Sequence, residues 1–417
     1  MNTLSLGPQP ARFCGPKDGL GALRRAAAGL ALGSSAIVGA LAQPADCHAP
    51  AWPLWQEFNA HFVTADARVL AGITASRDSF SEAQAYAMFF ALVANDQRRF
   101  DRLWRWSVHN LAGGDPAQNL PAWHWGQASD KSWRVLDANS ASDADLWFAY
   151  ALLEAGRLWR RPELTADGQR LLTTIEQREV VQLPGLGAML LPGPYGFVQA
   201  DGSWRLNPSY LPLPLLRRFA LERVNGPWGE IAANTIQMIA ATAPKGLVAD
   251  WVGYRADPGS KAGFTVDPVV GARASYDAIR VYLWAGMTPQ DDPLAAPLLK
   301  ALGGMHRRTG DRAVPAERIN VRTGIGSGTS PYGFSAALLP YLRLTASPDI
   351  VAQQGARARS AQVQSMQPQD LAKGPPSYYD HVLSLFGIGW IEDRYRFQRN
   401  GQVQLKWQET CIAENGN

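Results

Sequence analysis

The chain has 417 residues, enough for one large domain or for two to three of average size. Only 18% of them are charged, while 15 Trp, 12 Tyr and 14 Phe set the composition far from disorder and suit it to flat apolar ligands such as sugar rings. The net charge of +4 comes from Lys and Arg scattered along the sequence with no basic stripe, zinc-finger or RNP-like pattern, which argues against a nucleic-acid partner.

At the start, Arg24-Arg25 precede a small apolar run from Ala26 to Ala42 that ends Ala40-Leu41-Ala42 before Gln43. This reads as a signal peptide over residues 1–42, cleaved near Ala42, and predicts a periplasmic or secreted chain with no membrane anchor after cleavage. A spanning anchor is the rival reading, but the run is Ala- and Gly-rich and barely long enough to span. The rest of a twin-arginine pattern is missing, so general secretion is preferred. Cys14 would leave with the signal, and an oxidising compartment then predicts a disulfide between Cys47 and Cys411. Two free thiols near the chain ends are the alternative, because pairing needs the Cα atoms within roughly 7 Å.

From Trp52 to Trp390, apolar helical segments are separated by Pro- and Gly-rich loops with little strict alternation, which predicts an all-α chain. The first predicted helix is Trp52–Phe62. The second, Ser81–Asn95, is apolar nearly all round and has Glu82 in its first turn. Glu82 stands three residues after Ser79, so it could fold back onto the Ser79 N–H as a capping box. Held in apolar surroundings it would instead have a raised pKa, as a proton donor at neutral pH requires. Arg98–Ala112 follows with charge on one side, and then an aromatic loop, Leu120-Pro121-Ala122-Trp123-His124-Trp125-Gly126. Trp123 and Trp125 are candidate sugar-binding rings there, since an exposed aromatic loop carries a hydration cost unless something covers it.

Ser142–Trp159 is the segment richest in chemistry. Leu146, Ala149, Tyr150 and Leu153 recur at i, i+3, i+4 and i+7, Ser142 is a candidate N-cap, and Asp143 and Asp145 stand in the first turn beside the positive end of the helix dipole. Both acids could simply favour a helix start. Next come Thr165–Val180, a second aromatic loop from Leu190 to Tyr210 with room for short strands, Pro208–Glu222 and Gly226–Thr242. Ser275–Ala285 repeats the arrangement with Asp277, which Arg280 at i+3 and the helix start would keep ionised; it could merely pair with that Arg, or it could take a proton from water. The remaining helices are Pro293–Arg308, Gly333–Thr345, Ile350–Val363 and Tyr378–Ile391, with a loop from Ser365 to Pro376. Alternation of wholly apolar with one-sided helices predicts an inner ring wrapped by an outer one. No linker divides the chain, so residues 43–417 are expected to form a single catalytic domain.

A protonated acid and an ionised base are the pair that glycoside hydrolysis uses. The six histidines lack zinc-site spacing, there is no Gly-x-Ser-x-Gly elbow, and Gly324-x-Gly326-x-Gly328 fits neither a dinucleotide fingerprint nor a P-loop. Asp143-x-Asp145 as a metal-chelating pair in a nucleotide-sugar transferase is a rival of another class, although no nucleotide-binding strand–loop–helix surrounds it. A non-catalytic glycan-binding module is a third reading.

The segment Ala141 to Trp159, with its Ala-Ser-Asp-Ala-Asp start, resembles the signature of glycoside hydrolase family 8. Ser81-Glu82-Ala83-Gln84-Ala85-Tyr86, Leu120-Pro121-Ala122-Trp123, Asn207-Pro208-Ser209-Tyr210-Leu211-Pro212 and Ser275-Tyr276-Asp277-Ala278-Ile279-Arg280 look like further family segments. They stand in family order from about Trp52 to Trp407, and the likeness is nearest to the periplasmic branch found in bacterial cellulose-synthesis operons. The resemblance implies an (α/α)6 barrel with an open cleft and inverting hydrolysis of β-1,4-glucan. It also implies Glu82 as general acid, Asp277 as general base and Asp143, in preference to Asp145, as a third acid at the cleavage point. Trp123, Trp125, Tyr210, Tyr276, Arg280 and Asp145 are then candidate substrate contacts. No metal or other cofactor is implied, and the partners would be the glucan chain and a cellulose synthase export complex, with the enzyme a monomer. Xylan, mixed-linkage glucan and chitosan stay open as substrates. The chain departs from the pattern at Phe148, usually Ile or Met, and at Ala83, commonly Gly.

Overall fold

The computed structural model describes residues 49–71, 77–257, 259–311 and 313–409. The signal segment expected over residues 1–42 and both cysteines of the expected bridge, Cys47 and Cys411, lie outside the described residues. Along the chain each outer helix is followed by an inner one: α1 (Pro53–Phe62) then α2 (Ser81–Val93), α3 (Gln97–Asn110) then α4 (Ser142–Leu158), α5 (Pro162–Arg178) then α6 (Leu213–Glu222). The order continues with α7 (Trp228–Thr242) and α8 (Ala278–Met287), then the pair α9 (Ala295–Ala301) and α10 (Gly304–Asp311) outside α11 (Tyr332–Thr345). Last come α12 (Pro348–Ser365), the single turn α13 (Pro368–Leu371) and α14 (Tyr378–Ile391).

Each inner helix packs on the next, α2 on α4, α4 on α6, α6 on α8, α8 on α11 and α11 on α14. Phe386 of α14 closes the ring against Phe89 and Phe90 of α2, at centroid distances of 5.9 and 4.6 Å. The fold is therefore an (α/α)6 barrel. Composition explains which helices go inside. Every α2 residue except Glu82 is buried, as is α4 from Ser142 to Gly156, whereas α3 buries only Phe100, Leu103, Trp104, Trp106 and Ser107 on one face. Close approach fixes the tightest crossings: a Cβ at Gly286 would strike the Tyr341 backbone, and one at Gly387 would strike the Ala336 carbonyl.

Short antiparallel strands fill the loops. Ser79–Phe80, Ala122–Gln127 and Trp133–Ser140 make one sheet, and Trp204–Leu206, Val252–Arg255 and Gly263–Val266 make another. Two predicted helices are corrected. Pro293–Arg308 breaks at Gly303, where the Gly304 N–H turns aside to bond the Gly246 carbonyl at 2.9 Å. Pro208–Glu222 opens as a 3₁₀ turn, Pro208–Tyr210, capped by Asn207, before α6 begins. The stretch read as a loop after Ser365 contains the turn α13. The two departures noted from the family pattern sit in the core: Phe148 is fully buried beside Trp104 at 5.7 Å, and Ala83 is 1% exposed.

Glu154 of α4 is fully buried and holds three partners together. It accepts from Arg218 Nε of α6 at 2.7 Å, from the Val403 N–H at 2.8 Å, and from Arg157 through both Nε and Nη2. Its replacement leaves the buried Val403 N–H and Arg218 Nε without an acceptor, and leaves Glu222 as the remaining carboxylate on Arg218. Glu154→Ala is expected to cost about 3–5 kcal/mol, measured by denaturant unfolding; a loss of under about 1 kcal/mol would mean that the network contributes as little as an exposed pair.

Candidate active site

The three acids picked out at helix starts converge on one guanidinium. Arg280 of α8 is 4% exposed, and its Nη1 lies 3.3 Å from Glu82 Oε2 at the start of α2. Its Nη2 lies 3.0 Å from Asp277 Oδ1 and 3.6 Å from Asp143 Oδ2 at the start of α4, and donates to Ser209 Oγ at 2.9 Å. Tyr379 of α14 stands 3.5 Å from Nη1. The local readings change accordingly. The N-cap of α2 is Phe80 with no side-chain cap bond, so Glu82 makes no capping box and faces Arg280. The N-cap of α4 is Ala141, which puts Ser142 inside the helix.

Burial raises the pKa of all three carboxyls, and Arg280 opposes it in each case. Asp143 is pushed up to about 7 by burial and by the charge of Glu82. Glu82 is raised by burial and by Asp277. Asp277 is also raised, so burial outweighs the Arg280 pairing that was expected to keep it in the ordinary range. The donors separate their roles: Asp277 accepts from Arg280 and from Trp251 Nε1 at 3.1 Å, while Glu82 has only the longer Arg280 contact. A shared proton therefore settles on Glu82 more readily than on Asp277.

Glu82, Asp143 and Arg280 line a cavity of about 610 Å³ with the rings of Phe80, Trp123, Tyr210, Tyr276, Tyr378 and Tyr379, and Asp277 stands behind Arg280 and Tyr276. Trp123 is 37% exposed and lies flat on Phe80, centroids 5.4 Å apart at 20°, so one broad face is available to a sugar. A hollow of similar volume, about 590 Å³, bordered by Arg217, Asp291 and Arg399, has no aromatic ring and none of the clustered acids; chemistry rather than volume selects the first. Trp125 is not on the cavity wall: it packs on Trp106 and Trp133 at 5.4 and 5.1 Å, with Arg68 over its ring. Asp145 lies beneath the floor, fully buried, against Glu179 of the α5 C-terminus. It is not on the cavity wall, where it was expected as a substrate contact, and Asp143 and Asp145 do not converge as a chelating pair. Trp251, Tyr379 and Glu179 went unrecognised in the sequence, since each reaches the site from a loop or a helix end with no periodic signal.

The sequence matches the family described as Glycosyl hydrolases family 8 over residues 32–393. It is 48% identical to the endoglucanase of Pseudomonas fluorescens (strain SBW25) over 92% of this chain and 97% of that one, and 42% identical to the endoglucanase of Escherichia coli (strain K12) over 86% and 92%. The crystal structure of endo-1,4-D-glucanase from Vibrio fischeri ES114 superposes with a TM-score of 0.78 at 41% identity, covering 86% of this chain and all of that one (100%). The chain belongs to glycosyl hydrolase family 8.

The floor carries a pH dependence of its own. Glu179 Oε1 accepts from Ser140 Oγ at 2.7 Å, and with no cation among the causes of its shift it is pushed up to about 8 by burial and by Asp143. Asp145 is raised further by burial and by Glu179. Two facing carboxylates cannot donate to each other, so protonated Asp145 donates to Glu179, and burial keeps a second proton on Glu179 itself. Folded Glu179 thus holds its proton where the unfolded residue, with a pKa of about 4.3, has lost it. Its contribution is complete in acid and fades as pH rises from about 4 through about 8. Glu179→Gln is expected to flatten the fall of Tm between pH 5 and 9 relative to wild type; equal Tm offsets at every pH would rule out the held proton.

Proposed function

We propose that this family 8 chain is an inverting endo-β-1,4-glucanase in which Glu82 is the general acid, Asp277 the general base and Asp143 the acid that holds the sugar at the cleavage point. The observation that carries this reading is the convergence of three carboxyls from three inner helices on Arg280, which with Glu82 and Asp143 lines an aromatic cavity open to solvent. Glu82 and Asp277 meet different nitrogens of one guanidinium, so the fork sets them apart rather than in contact. Inversion calls for a gap of roughly 6.5–9.5 Å, wide enough for a water between base and anomeric carbon. Protonated Glu82 gives its proton to the glycosidic oxygen as that bond breaks. Asp277 takes a proton from the water that attacks the opposite face, and the Glu82 carboxylate left behind is stabilised by Arg280. Trp123 stacks on a sugar ring, and Tyr210 and Tyr276 line its path.

The substrate reading draws on the relatives named endoglucanase at 42 to 48% identity. With the export signal read at residues 1–42, the enzyme would work as a periplasmic or secreted monomer, its single domain spanning residues 43–417. There it would trim nascent cellulose beside a synthase export complex. Among the described residues no helix is long and apolar enough to cross a membrane.

Glu82→Gln and Asp277→Asn are each expected to lower turnover of cello-oligosaccharides by several orders of magnitude while the far-UV spectrum stays native. The wild type should release the α-anomer first, as proton NMR in the first minutes will show. An initial β-anomer, or near-normal turnover in either variant, would sink the acid and base assignments. Products from xylo-oligosaccharides or chitosan oligomers at higher rates would move the substrate to those polymers.

Because the acid and base are carboxyls, extensive EDTA treatment should leave turnover unchanged. If chelation abolished it and a divalent ion restored it, Asp143 would have to be reassigned as a metal ligand.

A further inference from the structure

Asp277 occupies the N-cap position of α8, where an Asp side chain ordinarily turns back to bond the N–H groups of the first turn. It makes no such bond. Its carboxylate turns outward to Arg280 Nη2 at 3.0 Å and Trp251 Nε1 at 3.1 Å. The donors at the head of α8 are served from elsewhere. Asp250, 2% exposed and just ahead of the strand Val252–Arg255, accepts from the Ala278 N–H at 2.9 Å and the Ser275 N–H at 2.6 Å through Oδ1. Its Oδ2 accepts from Ser275 Oγ at 2.5 Å and meets Arg273 Nε at 3.4 Å, and its own N–H bonds the Arg273 carbonyl at 2.7 Å.

We propose that Asp250 is a positioning residue that caps α8 in place of Asp277, leaving the Asp277 carboxylate free to face the cleft. The proposal rests on the reading of Asp277 as base. The alternative arrangement is visible within the same molecule, for Asp143 accepts from the N–H of the next residue, Ala144, at 2.8 Å. Without Asp250 the buried Ala278 N–H would lack an acceptor, and Asp277 could supply one by the same local turn, taking its oxygens away from the water it must activate. Asp250 also acts through charge. The groups facing Asp277 are Arg280 on its own helix, Asp250 and Trp251 before it, Asn207 and Tyr210 at the 3₁₀ turn, Glu82 on α2, Asp143 on α4 and Tyr379 on α14. Of these, Asp250 is a fixed negative neighbour that raises Asp277.

The test compares Asp250→Ala with Asp250→Asn in the full exported chain, with soluble cello-oligosaccharides as substrate. Asn keeps an acceptor oxygen for the Ala278 and Ser275 N–H groups but removes the charge. It should therefore retain most turnover while the acid limb of kcat/KM moves to lower pH, because the base loses a negative neighbour. Ala removes cap and charge together: kcat should fall on the order of 100-fold, as misplacement of a reacting group does, with KM little changed because the sugar-stacking rings are untouched. A crystal structure of the Ala variant should show the Asp277 carboxylate turned onto the Ala278 N–H. Wild-type kcat and pH profile in a folded Ala variant would overturn the proposal. If Ala fails to fold, an unmoved acid limb in Asn overturns it instead. Near-normal turnover in Asp277→Asn would fail the base assignment itself, a result separate from either.

Discussion

One buried cation organises this enzyme. Arg280 could not be taken out of water at 4% exposure without partners, and the partners it has are the three acids at the helix starts. The barrel makes the meeting possible. Outer helices return the chain, so every inner helix runs the same way and their N-termini gather at one end. Glu82, Asp143 and Asp277 each stand at such a start, as do Tyr378 and Tyr379 on α14. The positive ends of the helices therefore point at the same place as Arg280, and together they offset part of the repulsion among three carboxyls.

Three chemically similar acids then have to behave differently. Two or three negative charges beside one positive one leave an excess that burial makes expensive, so at least one proton is held near neutrality. Which acid holds it depends on neighbours rather than residue type. Asp277 has two close donors, Arg280 and Trp251; Asp143 has the Ala144 N–H; Glu82 has a single contact at 3.3 Å. Of the proposed acid and base, Glu82 has the fewer donors, which favours a proton on it over one on Asp277.

The repeated pattern of an acid at the head of an apolar helix made Glu82, Asp143, Asp277 and Arg280 legible in the sequence, along with the two rings of helices. What stayed hidden depends on distant pairing. Asp250 and Trp251 act on a helix start some 26 to 28 residues later, and Glu179 meets Ser140 across 39 residues, through loops with no period. Trp123 and Trp125 look equivalent in a strand, but register shifts on both sides of His124 break the alternation, and only Trp123 reaches the cavity. The Ser79 and Glu82 spacing of a capping box failed because Ser79 is engaged in a strand opposite Trp125. The break before α10 turns on a backbone contact with Gly246 that spacing does not encode.

Asp143 and Asp145 show how spacing can separate roles as well as blur them. Two residues along a helix of 3.6 per turn is about 200°, so the side chains leave on opposite faces. One faces Arg280 and the cleft, and the other faces the α5 terminus. The start of α4 thus carries a buried acid on each side, and each is neutralised differently: Asp143 by a guanidinium, Asp145 by its own proton beside a Glu179 that is protonated as well. A cation in the second place would draw Asp143 away from Arg280 and lower its pKa, whereas a neutral pair holds α4 from below without competing for it. The protons held on Asp145 and Glu179 therefore preserve the balance of charge at the cleft floor, and Arg280 remains the cation against which the three acids above it are set.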